Sequence, residues 1–176
     1  MTQQLAQRLA TGIREVADFP KVGVGFKDIT PLLGDAGLLR AAVAGLAEPF
    51  ADRGITKVLG VEARGFILAA PVALHLGAGF VPVRKVGKLP GVVERAEYAL
   101  EYGTDVLEVH RDAVGPGERV VILDDVLATG GTAAATVRLA EALGAEVVGL
   151  AFLIELAFLG GRSFLPGRSV TSLLTY

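Results

Sequence analysis

The chain contains 176 residues, carries a formal net charge of −2 and lacks cysteine. This length favours one domain that folds without disulfide or metal cross-links. The absence of cysteine excludes thiol catalysis, thiolate metal sites and disulfides and suits a reducing compartment, while the charge argues against the basic surface of nucleic-acid-binding proteins. The N-terminus has no basic segment followed by an apolar one, so we expect a cytoplasmic protein that binds neither nucleic acid nor membrane.

Helical and extended patterns alternate along the chain, which predicts an α/β domain with a mainly parallel central sheet flanked by helices. Pro31 biases Thr30 away from a helix, and Asp35 is the predicted N-cap of the next helix. Two long apolar stretches are too short or too often interrupted to span a membrane and are predicted to be core. The predicted elements are helix 3–16, extended segment 22–29, helix 36–52, strand 57–61, helix 65–76, strand 79–84, hairpin strands 98–102 and 106–109, strand 119–123, helix 131–143, strand 146–154 and strand 169–173.

The most informative segment is an apolar strand that ends in Asp124 and Asp125 and turns through small residues into a helix. Two adjacent carboxylates at the carboxyl edge of a parallel sheet suit a pair of ribose hydroxyls. The following loop offers backbone N–H groups, two hydroxyls and a helix N-terminus to a phosphate. Without a lysine, this loop does not fit a Walker-type site. The alternative interpretation is an ordinary glycine-rich turn in which an aspartate caps the helix. The loop residues are Ala128, Thr129, Gly130, Gly131 and Thr132.

Basic residues follow two other predicted strands. Arg64 comes shortly after strand 57–61, and its planar fork suits pyrophosphate oxygens, while Gly65 permits close approach of the backbone. Arg84, Lys85 and Lys88 form a basic loop after the next strand. The alternatives are a surface arginine beside a helix start and a solvated run of charges.

Residues 120–132 resemble the phosphoribosyl pyrophosphate motif of the type I phosphoribosyltransferase family. Further segments are similar, in the same order and spacing, to those of the adenine-specific members of that family. The resemblance implies the type I phosphoribosyltransferase fold in a single domain, 1–176, with a small hood near 1–34 and a flexible catalytic loop near 85–105. These further segments are 18–20, 26–31, 60–66, 83–90 and 98–103.

The resemblance also implies a reaction, in which adenine and phosphoribosyl pyrophosphate give AMP and pyrophosphate in purine salvage. Asp124 and Asp125 would hold the ribose, and the loop after them the 5′-phosphate. Arg64 and the basic loop would contact pyrophosphate, the latter within one subunit or across a homodimer. Mg²⁺ would accompany the pyrophosphate through water, with no direct protein ligand assigned. Glu101 would exchange a proton with the purine and Tyr102 would close the lid, although by pattern alone Glu101 is simply a hairpin glutamate.

The residues implied in adenine binding are the least distinctive by chemistry, since apolar side chains are more often core. Gly25 and Lys27 depart from the resembled family, in which a larger apolar residue and an arginine are usual at these positions. The lysine loses the planar fork of arginine. The predicted adenine-binding residues are Gly25, Phe26, Lys27, Val126 and Leu156.

Two other functions remain open from the sequence. One is a related transferase for another purine or for a pyrimidine, which Gly25 leaves possible. The other is a non-catalytic regulator that binds phosphoribosyl pyrophosphate and nucleic acid, which the net charge of −2 disfavours. Neither His75 nor His110 is assigned a catalytic role, because their patterns suit a buried or interface position and a surface position respectively.

Overall fold

The computed structural model describes residues 3–99 and 104–176. Its N-terminal part consists of helix α1 (Gln3–Ala10) and two short antiparallel strands, β1 (Arg14–Val16) and β2 (Phe26–Asp28). The predicted helix over 3–16 is therefore wrong beyond Ala10, and only three residues of the predicted extended segment 22–29 form a strand. The helical spacing of apolar residues continued past Ala10 because the turn at Gly12 also packs inward: a Cβ on Gly12 would lie 2.7 Å from Leu38 Cδ1.

Two helices follow this unit. Helix α2 (Thr30–Gly34) begins at the residue before Pro31, so the expectation that proline would keep Thr30 out of a helix is wrong. Proline is tolerated in a first turn because its missing N–H would have no partner there, and the Thr30 N–H donates to Asp28 Oδ1 at 2.8 Å. Asp35 is confirmed as the N-cap of helix α3 (Ala36–Ala47), since its Oδ1 accepts from the Leu38 N–H at 2.8 Å. The chain leaves α3 earlier than predicted, in a 3₁₀ turn (Glu48–Phe50) that contains Pro49.

The main sheet has seven strands, and its mainly parallel character is confirmed. The central strands run parallel to one another, and a hairpin pairs antiparallel with one edge. In the order of the sheet, the strands are β5 (Val93–Ala99), β6 (Thr104–His110), β4 (Gly79–Lys85), β3 (Lys57–Val61), β7 (Arg119–Leu127), β8 (Glu146–Glu155) and β9 (Val170–Thr175).

Helices cover both faces of this sheet, as the apolar strands predicted. On one face, α3 and α4 (Arg64–Leu76) pack with Val121 and Leu123 of β7, and on the other, α5 (Gly131–Ala142) packs with Val120 and Ile122. The two apolar stretches predicted to be core form α4 with β4, and β8 with the turn after it; both contribute buried residues, but Leu74 and Phe158 are exposed. In the part of the chain that the structure describes, every helix is too short or too polar to cross a bilayer.

Two strand ends differ from prediction in ways that affect the site. Strand β7 continues to Leu127, so Asp124 and Asp125 lie within it rather than after it. Strand β5 begins at Val93, five residues before the predicted hairpin strand, and Thr104 and Asp105 of the predicted turn belong to β6. The rest of that turn lies outside the described residues.

Candidate active site

The carboxyl ends of the parallel strands bring the predicted residues to one edge of the sheet. Arg64 begins α4 just after β3, Asp124 and Asp125 lie near the end of the neighbouring β7, and Arg84 lies near the end of β4. Leu156 follows β8 directly and its N–H donates to the Leu127 carbonyl at 2.9 Å. This edge is where open α/β sheets bind ligands.

Asp124 and Asp125 form a desolvated carboxylate pair. Burial raises the pKa of Asp124 well above its usual range, and the neighbouring Asp125 carboxylate raises it further. Burial also raises the pKa of Asp125, against the opposing effect of the Arg64 guanidinium. Arg64 Nε lies 2.8 Å from Asp125 Oδ2, but this buried oxygen accepts no well-aligned hydrogen bond from the described residues. Donors such as ribose hydroxyls would therefore be favourable partners for the pair.

Gly65 brings the start of α4 against this pair. A Cβ on Gly65 would lie 2.7 Å from Asp124 Oδ1 and 3.1 Å from the Leu123 carbonyl oxygen. Gly65 therefore permits a close approach of the backbone, and in the described structure the segment it approaches is strand β7 at Leu123 and Asp124. As a result the arginine that precedes Gly65 is held directly over Asp125.

The predicted phosphate residues form a loop between β7 and α5. Gly130 is the N-cap of α5 with φ of +86°, a conformation that favours glycine. A Cβ on Gly130 would lie 2.3 Å from the carbonyl oxygen of Gly161, so the loop touches a second backbone segment. The loop and the carboxylate strand enclose a small cleft of about 70 Å³, which includes Val126, predicted instead as a wall for adenine. The cleft is lined by Asp124, Val126, Leu127, Ala128, Thr129, Gly130, Thr132, Ala133 and Phe152.

The basic loop is tied to carboxylates of the protein. Glu62 accepts from Arg84 Nη2 at 2.8 Å and Nε at 3.2 Å, and Arg84 holds the pKa of Glu62 below its usual range. Lys85 Nζ lies 3.2 Å from Asp105 Oδ2. Within 3–99 and 104–176, the Lys88 ammonium makes no ion pair, and its carbonyl accepts from Arg84. Glu62 and Asp105, which sequence reasoning missed, thus orient two of the three basic residues.

A second, larger cleft of about 600 Å³ meets the small one at Ala128 and Thr129. Three predicted adenine-binding residues, Gly25, Lys27 and Leu156, line it. Val24, the neighbour of Gly25, also lines it. The remaining lining residues were not predicted, because no local motif marks residues from such distant segments; they are Glu15, Gly23, Phe158, Leu159 and Tyr176.

Lys27 is held across this cleft by two of the unpredicted residues. Its ammonium lies 2.9 Å from Glu15 Oε1 and 4.1 Å from the centre of the Tyr176 ring. Glu15 is the cross-strand partner of Lys27 in the β1–β2 pair, so this opposite-charge pairing was the one signal available to sequence reasoning. A lysine whose ammonium is paired with a carboxylate in this way contributes its apolar stem to the cleft rather than an unpaired charge.

Phe26, the remaining predicted adenine contact, lines neither cleft. Its ring packs edge-on against the Phe19 ring, with 5.0 Å between the two ring centres. The Arg64 guanidinium carbon lies 5.0 Å from the centre of the Phe26 ring. Because Arg64 also contacts Asp125, one arginine links the ribose-type carboxylates to the aromatic residue of the hood.

Four further residues considered from the sequence lie away from these clefts or outside the residues that the structure describes. Glu101 and Tyr102 fall outside the described residues, so their roles remain predictions. His75 is in the last turn of α4, and His110 Nε2 lies 2.7 Å from the Pro90 carbonyl oxygen. Neither histidine lines the two clefts.

Comparisons with known proteins agree with this geometry. The phosphoribosyl transferase domain family matches residues 35–158. An adenine phosphoribosyltransferase of Clostridium perfringens is 58% identical over 164 residues, which cover 93% of this chain and 95% of that protein.

Two solved structures extend the likeness to three dimensions. The adenine phosphoribosyltransferase of Rhodothermus marinus superposes with a TM-score of 0.95 and 56% identity, over 99% of this chain and 100% of that one. The Saccharomyces cerevisiae enzyme, solved with adenine and an imino-altritol bisphosphate, superposes with a TM-score of 0.93 and 41% identity, over 98% and 100% of the two chains. The chain therefore has the type I phosphoribosyltransferase fold and belongs to the adenine phosphoribosyltransferase family.

Proposed function

We propose that this protein transfers the phosphoribosyl group of phosphoribosyl pyrophosphate to adenine, giving AMP and pyrophosphate in purine salvage. The observation that carries the proposal is the pair of clefts that meet at Ala128 and Thr129. One is small, lined by a helix start and a glycine loop, and suits a phosphate. The other is larger and mainly apolar and suits a planar base. The ribose would lie beside the carboxylate pair, of which Asp124 lines the small cleft.

In this reaction the sugar carbon becomes positively charged as pyrophosphate departs. Asp124 and Asp125 accept hydrogen bonds from the two ribose hydroxyls and place negative charge beside the developing cation. The buried Asp125 oxygen without an aligned donor supports this role, since a ribose hydroxyl would satisfy it. Backbone N–H groups of the loop and the start of α5 hold the 5′-phosphate, which fixes the sugar for attack.

The leaving pyrophosphate requires positive charge, and the three basic loop residues and Arg64 supply it. To bind pyrophosphate, Arg64 turns from Asp125 towards the leaving group as the ribose hydroxyls take its place. Lys88 is the basic loop residue least committed to a carboxylate within the described residues and is the preferred pyrophosphate contact. Arg84 and Lys85 remain candidates, positioned by Glu62 and Asp105.

Mg²⁺ is the proposed cofactor and would lower the negative charge of the pyrophosphate oxygens when bound. Among the described residues no three His, Cys, Asp or Glu side chains converge on a possible metal position. Asp124 and Asp125, beside the proposed ribose position, would accept hydrogen bonds from the water shell of an ion held mainly by substrate oxygens and water.

Adenine would enter the larger cleft between the hood and the segment after β8. Leu156 offers an apolar face and the ion-paired Lys27 lines one side of the cleft, while Phe26 would act from the neighbouring position where it contacts Arg64. Glu101 stays a prediction as the group that exchanges a proton with the purine, and Tyr102 as the lid residue. The hood near 1–34 and the catalytic loop near 85–105 belong to the same single domain, 1–176.

We further propose a homodimer, in which the basic loop reaches pyrophosphate from its own or its partner's subunit. Ile67 and Leu74 of α4 are 47% and 83% exposed, and Phe80 of β4 is 36% exposed. Such an apolar surface supports burial against a second copy. Gel filtration with light scattering would show a dimer mass, and a monomer at assay concentrations would contradict this part of the proposal.

A base-competition assay tests the function directly. Purified protein with phosphoribosyl pyrophosphate and Mg²⁺ is offered adenine, hypoxanthine, guanine or xanthine, and nucleotide formation is followed by chromatography. Turnover of adenine alone, abolished by excess EDTA and restored by Mg²⁺, is expected. Preference for another base would support the alternative transferase. Binding of phosphoribosyl pyrophosphate by folded protein with no turnover of any base would support the regulator.

A further inference from the structure

The segment 156–164, between β8 and β9, lines the larger cleft and packs against the loop of the smaller one. Leu156, Phe158 and Leu159 form part of the wall of the larger cleft. Two residues further on, Gly161 packs against the phosphate loop: a Cβ on Gly161 would lie 2.3 Å from the carbonyl oxygen of Ala128. One short piece of chain therefore borders the base position on one side and supports the phosphate position on the other.

Apolar packing alone holds little of this segment. Phe158 is 75% exposed and Phe164 is 59% exposed, while Gly161 and Leu165 are buried. Exposed aromatic residues contribute little to fixing a backbone, because they remove little apolar area from water. The position of the segment must therefore depend on polar contacts.

Backbone hydrogen bonds tie Leu156 to Leu127 of β7 and Ala157 to Tyr176. The side-chain contacts that tie the segment to the sheet converge on Glu155, a buried carboxylate at the end of β8. Arg162 Nε and Nη2 donate to its two oxygens at 2.7 Å each, and Ser172 Oγ of β9 donates at 2.7 Å. Arg162 Nη1 also donates to the Val170 carbonyl at 3.1 Å. A bidentate pair of this kind fixes orientation as well as distance, so the residue next to Gly161 is locked to the sheet.

We propose that the Glu155–Arg162 pair is a positioning pair that sets the phosphate loop, through Gly161, relative to the base cleft. The pair contacts neither cleft itself. It holds the 160–162 backbone against Ala128 and Gly130, so that the loop N–H groups meet the 5′-phosphate while Leu156 faces the base. This inference rests on the proposed transferase function, because it assigns the two clefts to the two ends of the same substrate complex.

The pair also explains why an arginine stands at 162. Lysine could keep the charge but not the two parallel hydrogen bonds. Arg162→Met should lose both folding stability and the position of the loop. Compared with that variant, Arg162→Lys should recover folding stability more fully than it recovers the loop position.

The test compares Arg162→Met, Arg162→Lys and Gly161→Ala with a control, Arg168→Met, which breaks the surface ion pair between Arg168 and Glu141. Steady-state assays give KM for phosphoribosyl pyrophosphate and for adenine, and calorimetry gives Kd for ribose 5-phosphate. We expect the Gly161→Ala and Arg162→Met variants to raise the KM for phosphoribosyl pyrophosphate and the Kd for ribose 5-phosphate about tenfold or more, because small displacements of binding groups are costly. Turnover at saturation should fall less, and the control should match the wild type.

Non-additivity provides the second readout. If Arg162 acts through Gly161, the double variant that combines Gly161→Ala with Arg162→Met should bind ribose 5-phosphate little worse than Gly161→Ala alone. A fully folded Arg162→Met protein with a lowered Tm but unchanged KM and Kd would overturn the proposal, as would additive effects in the double variant.

Two safeguards keep the outcome interpretable. If Arg162→Met does not fold, Ser172→Ala weakens the same carboxylate anchor more gently and is expected to raise the same Kd about twofold to threefold. An unchanged Kd in folded Ser172→Ala and Gly161→Ala proteins would then overturn the proposal. Failure of the transferase assignment would appear separately, as absence of adenine turnover by the wild type, while ribose 5-phosphate binding still tests the pair.

Discussion

The two clefts of this protein are built in different ways. The small cleft is made almost entirely by consecutive residues, from Asp124 to Ala133, on one strand, one loop and one helix start. The large cleft draws its wall from four separate parts of the chain outside that loop, including Glu15, the 23–27 segment, Leu156 and Tyr176. Local backbone therefore defines the small cleft, the proposed phosphate end, whereas tertiary packing defines the large cleft, the proposed base end. Substitutions should accordingly be severe at the first and graded at the second.

The largest effect should come from the carboxylate pair. Asp125→Asn removes the charge that faces the developing cation and the partner of Arg64, so kcat/KM for both substrates should fall about 10²–10³-fold. Steady-state assays measure this, with Asp112→Asn as the control, since Asp112 is exposed and lines neither of the two clefts. A fall of less than threefold would show that Asp125 does not serve the reaction.

A backbone change beside the pair should come next. Gly65→Ala places a methyl group 2.7 Å from Asp124 Oδ1 and must push α4 or β7 aside. We expect kcat/KM to fall roughly tenfold to hundredfold. Gly34→Ala is the matched control because a Cβ there meets no atom within 4 Å. Equal activity in the two variants would show that the approach of α4 to Asp124 is dispensable.

At the base end the effect should be smaller and concentrated on one substrate. Phe26→Ala removes the ring that contacts Phe19 and the Arg64 guanidinium, so KM for adenine should rise about twofold to tenfold. KM for phosphoribosyl pyrophosphate should rise less in the same variant, because Arg64 keeps its contact with Asp125. If that second constant rose equally, the two clefts would not be as separable as their construction suggests.

The smallest expected effect concerns stability. The folded protein raises the pKa of Asp124, so it binds that proton more tightly than the unfolded chain. The resulting stability cost is absent below the unfolded pKa, grows as the pH rises towards the folded pKa, and is full above it. Asp124→Asn should therefore be more stable than the wild type at neutral pH, with a gain in Tm of about 2–4 °C per kcal/mol relieved.

Thermal melts of the wild type and the Asp124→Asn variant from pH 2 to pH 8 measure this difference. The gap in Tm should narrow as the pH falls, because the wild-type carboxyl becomes protonated. Asp28 offers the opposite sign, since hydrogen bonds from Thr30 lower its pKa to about 2: Asp28→Asn should lose stability at neutral pH, and its deficit should shrink only as the pH falls from about 4 towards 2. Matching pH profiles for the two variants would refute the assignment of a desolvation cost to Asp124.

The same contrast explains what the sequence could and could not predict. The residues that line the small cleft could be predicted to lie together because their proposed chemistry depends on neighbours along the chain. Glu15 and Tyr176 were missed because their positions depend on how β1 and the end of the chain pack beside β8. Val126, a predicted adenine contact, lines the small cleft and not the large one. Strand β7 continues two residues beyond Asp125, and the prediction had ended it before Asp124.

Errors in the elements have the same origin. Apolar residues at helical spacing predicted one helix through Val16, but pairing of Arg14 and Val16 with β2 prevailed over that local pattern. By contrast, the Asp35 cap depended on a residue three positions away and was confirmed. Interactions within one turn can be read from the sequence, whereas strand partners chosen across ten or more residues cannot.

The close approach of Gly161 to Ala128 and Gly130 has a consequence for how this site can evolve. Each missing Cβ would strike backbone atoms of the opposite segment, the carbonyl of Gly161 in one direction and that of Ala128 in the other. Compensating mutations usually work by shrinking a neighbouring side chain, but every amino acid carries the same carbonyl group. No second-site replacement at the facing position can therefore rescue a larger residue at either glycine. Chains that keep this loop arrangement should show glycine at both positions without covariation, while the wall of the base cleft remains free to drift and acquire new base preferences.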